Sequence, residues 1–292
     1  SSNFNNQRTK LRDTKMKKYI MSTFLLFVFN TISYAQYNED NSVLIWTSSK
    51  WNESNEGVEG ASAKDWKESV GNYYKARNNK DKLLKSSMLL THYWTGASYY
   101  FHHVREFANM ADANKWASSG GDLNKKAWPN EEKRKAALGA YSKYTQSYHE
   151  DVHVWENHKF LMKNNKSQKK PDRTVVSVIT NYWRPMSKVE NGSAEERKKL
   201  MKKYFKEVTM KNEKVLSQRV VTHYWSGYLA NGEWPVTTIR EFATMEDTDD
   251  NATENELFKK AFSEDEQKAY KKYWLGKHKD VGLFHNETYT NK

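Results

Sequence analysis

From Met88 to Trp94 the side chains of an extended strand would fall into two sets, with Leu90, His92 and Trp94 on one face and Leu89, Thr91 and Tyr93 on the other. Neither set is uniformly polar, so both faces of this strand are expected to be at least half buried. The pattern then returns. Thr91-His92-Tyr93-Trp94-Thr95-Gly96 is repeated as Thr222-His223-Tyr224-Trp225-Ser226-Gly227, and an Arg-Glu-Phe triplet follows each copy at 105–107 and at 240–242. The chain is an internal duplication.

Around these runs the periodicity predicts a β, α, β, β, α, β order. Val43 to Trp46 is β-rich, and Ala63 to Lys75 places Trp66, Val70 and Tyr73 on one helical stripe. Met88 to Trp94 and Val104 to Met110 form a hairpin. Glu131 to Asp151 reads as a second helix, with Ala137, Tyr141, Tyr144 and Tyr148 on one face, before a closing strand at Val152 to Trp155. The second half repeats the order with Val175 to Trp183, Ala194 to Val208, Val215 to Trp225, Val236 to Met245 and Glu264 to His278. The expected repeats span 42–162 and 174–285, joined by a Lys- and Asn-rich linker at 163–173.

The 292 residues are 37% hydrophobic and 14% aromatic, enough to bury a substantial core. The absence of cysteine excludes disulfides, thiolate metal sites and cysteine nucleophiles. Residues 16–35 run from basic (Met16-Lys17-Lys18) through apolar (Ile20 to Ile32) to Ser33-Tyr34-Ala35, the order of a secretory signal peptide, with 1–15 lying upstream of it. Export is therefore expected, to the periplasm or beyond, with cleavage after Ala35 and no stable membrane insertion afterwards. Removing residues 1 to 35, which carry six Lys or Arg and one Asp, takes the net charge from +12 to +7. That charge is spread over both halves, so no nucleic-acid partner is expected.

The stretch from about Val43 to Phe284 resembles two fused ferredoxin-like βαββαβ repeats of the dimeric α/β-barrel superfamily, an α+β fold whose members usually assemble the barrel from two chains. Here one chain would supply both halves, so no oligomer is needed to complete the barrel. The resemblance implies a cavity between sheet and helices, and it admits cofactor-independent oxygenases and haem-binding or haem-degrading enzymes as well as members without chemistry. The residues themselves call for no cofactor, and haem enters only through the resemblance.

Duplicated polar and aromatic residues are the ligand-binding candidates: His92, Trp94, Arg105, Glu106 and His149, with His223, Trp225, Arg240, Glu241 and His278. Mid-strand His92 and His223, beside Trp94 and Trp225, could face a cavity as base, hydrogen-bond donor or haem ligand. Arg105 and Glu106 point to opposite faces of their strand, so only one of them can meet the same cavity as His92. His149 and His278 are expected near a helix C-terminus, where the dipole favours them. His149-Glu150-Asp151-Val152-His153 spells H-E-x-x-H, which on a helix would aim two imidazoles at one zinc ion. The charged Asp151 within it, and Lys279 and Gly282 in the second copy, argue against that reading. Asp247-Thr248-Asp249-Asp250-Asn251 resembles the start of a calcium loop without its glycine and terminal glutamate. The leading expectation is an exported barrel binding a small apolar or aromatic ligand. The alternatives are an oxygenase or haem protein, a non-catalytic structural or assembly protein, and a zinc hydrolase through His149, Glu150 and His153.

Overall fold

The computed structural model describes residues 41–52, 61–164, 170–225 and 232–292. The expected upstream segment and signal peptide, Gly57, Gly60 and Gly227 lie outside the described residues. The first repeat comprises β1 (Ser42–Trp51), α1 (Ala63–Asn78), β2 (Leu84–His92) and β3 (Tyr100–Phe107), followed by α2 (Met110–Ser118), α3 (Gly120–Ala127), α4 (Glu131–Ser142) and β4 (Thr145–Asn157). A short β5 (Lys163–Asn164) leads to the second repeat: β6 (Arg173–Trp183), α5 (Ala194–Tyr204), β7 (Val215–His223), β8 (Trp234–Phe242), α6 (Met245–Thr248), α7 (Asn251–Ala261), α8 (Glu264–Lys271) and β9 (Trp274–Glu287).

The strands lie in the order β4-β1-β3-β2-β9-β6-β8-β7, and β7 pairs again with β4, so the sheet closes on itself. This is the α+β barrel of two ferredoxin-like repeats, made within one chain. Its closure depends on two short antiparallel seams. In one, Leu90, Thr91 and His92 pair with Asn286, His285 and Phe284; in the other, Val221, Thr222 and His223 pair with Asn157, Glu156 and Trp155. The repeated Thr-His motif is therefore where each half grips the other. Thr91 Oγ1 donates to buried Glu287 at 2.9 Å, and Thr222 Oγ1 lies 2.8 Å from His158 Nε2.

Inward-facing residues of both halves build one core, including Trp46, Leu90, Val104, Trp155, Val176, Ile239 and Phe284. The outward faces bury against helices, as Leu89 does with Val70 and Phe101. Burial on both faces, expected from the alternation of β2, follows from this closure.

One expectation about element boundaries is corrected. The helix read from Glu131 to Asp151 stops at Ser142, and its counterpart stops at Lys271, so Tyr148, His149 and His278 belong to strands. The cause is a clamp present in both repeats. Tyr144 donates to Asp65 at the start of α1, with Lys143 Nζ 2.9 Å from the same carboxylate; Tyr273 and Lys272 hold Glu196 at the start of α5 in the same way. In the connection between the repeats, buried Lys163 donates to the Thr209 and Asn212 carbonyls at 3.0 and 2.8 Å, and Lys170 reaches Glu241. The calcium-like run, which lacks the glycine and glutamate of a calcium loop, leads into the start of α7. Asp250 caps α7 by accepting from the Thr253 backbone N–H, and it also pairs with Lys214.

Candidate functional site

The Arg-Glu-Phe triplets divide between two environments because neighbouring strand residues face opposite ways. The glutamates turn into the barrel. Glu106 accepts from Ser42 at 2.7 Å, Ser86 at 2.6 Å and Asn157 at 3.3 Å; Glu241 accepts from Thr174 at 2.8 Å, Ser217 at 2.7 Å and Asn286 at 2.9 Å. Each also has a cation, Arg219 at 3.5 Å for Glu106 and Lys170 at 2.5 Å for Glu241. Burial pushes the Glu241 carboxyl up, but Lys170 and the hydroxyl donors outweigh this and hold it below its usual value. Both carboxylates are saturated by their own protein, which is a structural role.

The arginines turn outward into spaces between sheet and helices. In the second repeat a cavity of about 330 Å³, partly open to solvent, lies between β6, β7, β8, α5, α7 and α8. Leu161, Ile179, Met201, Phe205, Val220 and Trp274 make much of its wall apolar. Arg240 enters it already paired: Nη1 and Nη2 donate to the two Glu254 oxygens at 2.8 and 3.0 Å, and Nε donates to Gln218 at 2.8 Å. Burial opposes both charges, yet Glu254 holds the guanidinium above its ordinary value and Arg240 holds the carboxyl below its own. Tyr204 donates to Glu254 as well and stacks on Tyr270 with ring centroids 5.0 Å apart.

The first repeat has the corresponding cavity, of about 240 Å³. Its aromatic wall is similar: Tyr73 stacks on Tyr141 at 3.8 Å, and the Tyr74 hydroxyl lies 2.8 Å from both Tyr141 Oη and His103 Nε2. Burial pushes the Tyr141 phenol up to about 12, and burial followed by neighbouring Arg105 keeps His103 neutral. Arg105 donates to Thr47 Oγ1 at 3.0 Å and lies 4.9 Å over the Trp116 ring.

Of the sequence candidates, Arg105 and His149 line the first cavity and Arg240 lines the second. Glu106 and Glu241 lie inside the barrel wall. His92, Trp94, His223 and Trp225 border neither cavity. The strands end at His92 and His223, and the two tryptophans beyond them are each 71% exposed. His149 and His278 sit on the surface beside Asp151 and Asp280, at 2.8 and 3.6 Å. The H-E-x-x-H reading fails on geometry. A β-bulge at Val152 shifts the register between Asp151 and His153, which sends His153 inward against Trp46 while His149 lies on the helix side with Ser49. Among the described residues no group of three or more His, Asp and Glu could hold a metal ion.

Sequence reasoning missed most of the cavity walls. One signal was available: Ala140-Tyr141-Ser142-Lys143-Tyr144 returns as Ala269-Tyr270-Lys271-Lys272-Tyr273, which marks Tyr141 and Tyr270 as equivalent. Haem does not fit the larger cavity. Among the described residues no histidine lines it, and burial raises the Tyr204 and Tyr270 phenols, so the phenolate needed to ligate iron is disfavoured. His103 in the smaller cavity is engaged with Tyr74.

No family model matches the sequence, and no curated protein matches it. Among solved structures, the chain is similar to a proposed monooxygenase from Fusobacterium nucleatum (10% identity, TM-score 0.44, covering 84% of this chain and 91% of that one). It is also similar to a proposed monooxygenase from Lactobacillus acidophilus (10% identity, TM-score 0.44, 85% and 94% covered). A mutant chlorite dismutase from Candidatus Nitrospira defluvii aligns with 8% identity and a TM-score of 0.40 over 85% and 94% of the two chains. Likenesses at this level transfer no activity.

Proposed function

We propose that this protein is an exported, single-chain α/β barrel that binds a small, uncharged, apolar or aromatic molecule in the cavity of its second repeat. The observation that carries this reading is the bidentate Arg240–Glu254 pair. It leaves a cavity of about 330 Å³ without an uncompensated charge and with largely apolar walls, suited to a ring-sized neutral guest. Polar wall groups such as Gln218 and Arg240 already satisfy one another, so such a guest would displace water without stranding a donor.

Intrinsic tryptophan fluorescence tests this, because Trp274 lines the cavity. Titration with indole-free probes such as 1-naphthol should give saturable one-site quenching. Met201→Trp, which fills the cavity, should abolish it while the far-ultraviolet circular dichroism is unchanged. Unsaturable quenching, equal in both proteins, would defeat the reading. Haemin added to the same preparation should leave the Soret band where free haemin places it. Export is checked by sequencing the mature N-terminus, expected at Gln36.

A further inference from the structure

Aligning the two repeats through their helices shows a single replacement at the place that matters most for charge. Gly120-Gly121-Asp122-Leu123-Asn124-Lys125-Lys126-Ala127-Trp128 corresponds to Glu254-Asn255-Glu256-Leu257-Phe258-Lys259-Lys260-Ala261-Phe262, anchored by the shared leucine and Lys-Lys-Ala. Glu254, the counterion of Arg240, is therefore matched by Gly120. A Cβ built on Gly120 meets nothing within 4 Å, so the carboxylate side chain is missing rather than displaced by another group.

Arg105 shows the consequence. Among the described residues it makes no ion pair; its partners are a hydroxyl and an aromatic face. A second guanidinium lines the same cavity, Arg77, which donates to the Tyr73 hydroxyl at 2.9 Å and to Asn124, again without a carboxylate. Among the described residues Asp81 is the one acidic residue in the wall, and it is already occupied by Trp116 Nε1 at 2.6 Å and by the Leu83 and Leu84 backbone N–H groups at 2.9 and 3.0 Å. The first cavity thus carries two cations against one committed carboxylate. A buried guanidinium calls for a planar acceptor, and carboxylate geometry matches its donor fork.

We propose that the first-repeat cavity is an anion site that takes a small aromatic carboxylate, the ligand's carboxylate standing at Arg105 where Glu254 stands at Arg240. The ring would lie among Tyr73, Tyr74, Tyr141 and Trp116, and the volume of about 240 Å³ confines the guest to roughly one ring with its acidic head. This site is separate from the neutral one proposed in the second repeat and does not depend on it.

The test is calorimetric titration of the full chain with benzoate and with benzamide, its neutral isostere, at low salt and pH 7. Wild type should bind benzoate at least tenfold more tightly than benzamide. Gly120→Glu restores the counterion and should lower benzoate affinity at least tenfold while leaving 1-naphthol binding unchanged, which separates failure here from failure of the neutral site. Arg105→Gln should remove the same preference. Conversely, Glu254→Gly should give the second repeat a benzoate site that wild type lacks there, read as an added binding stoichiometry. Equal affinities for benzoate and benzamide in wild type, or unchanged benzoate binding in Gly120→Glu, would overturn the proposal.

Discussion

Arg105 and Arg240 occupy equivalent strand positions, face equivalent cavities and stand beside equivalent tyrosine stacks, yet their charges are treated in opposite ways. Burial presses both guanidiniums toward the uncharged form; Glu254 more than reverses this for Arg240, whereas Arg105 remains below its ordinary value. Elsewhere the duplication keeps most of its chemistry: the hydroxyl and amide donors around Glu106 and Glu241 match, although the cations beside them, Arg219 and Lys170, do not, and the clamps on Asp65 and Glu196 match as well. The difference teaches that repeats sharing a scaffold can diverge by deleting one side chain, here at Gly120, without disturbing the core that supports it.

That contrast can be broken most severely from the second repeat. Glu254→Ala leaves Arg240 with Gln218 alone, and removing one partner of a largely buried pair should cost roughly 3 kcal/mol in urea unfolding. A loss below about 0.5 kcal/mol would mean the cavity is wet enough to solvate Arg240 unaided.

Acid should sharpen the asymmetry next. The first repeat contributes His102 and His158, both lowered to about 4 by burial, at the positions where the second repeat has Thr237 and Glu287. Because the folded-state values lie below the unfolded value of about 6.5, the unfolded chain binds protons first as pH falls. Stability is therefore unaffected above about 6.5 and declines between about 6.5 and 4, by at most roughly 3 kcal/mol for each histidine. His102→Phe should flatten part of that decline in thermal midpoints measured across this window; an unchanged pH profile would contradict the burial argument.

The smallest effect belongs to the seams. Thr91→Val and Thr222→Val should each cost about 1 kcal/mol, since Glu287 keeps Arg173 and His158 keeps Asn41. If the seams are independent, the double variant should add to within about 0.5 kcal/mol. A larger coupling would show that opening one seam loosens the other.

Much of this architecture was legible because duplication prints the same strand pattern twice, and the closure of the sheet follows from strands apolar on both faces. Element ends were less legible. Tyr141, Tyr144 and Tyr148 keep helical spacing past Ser142, but Tyr144 is drawn to Asp65, a contact between residues far apart in sequence that no local pattern announces. The short helices α2 and α3 were passed over, although Asn109 caps the first by accepting from Asp112 N–H. For the site, alternation separated Arg105 from Glu106 correctly, but the faces of His92 and His223 lead out of the barrel because their strands stop there. The Gly120 replacement is visible in the letters; its meaning depends on knowing that Glu254 touches Arg240.

The two seams have a consequence for assembly. Each is a three-residue ladder joining the first half to the second, and neither requires that both halves come from one polypeptide. Each ladder would therefore form equally well between halves supplied by two molecules, whereas the β5–β7 pairing and the Lys163 contacts tie the connection to the second half of its own chain.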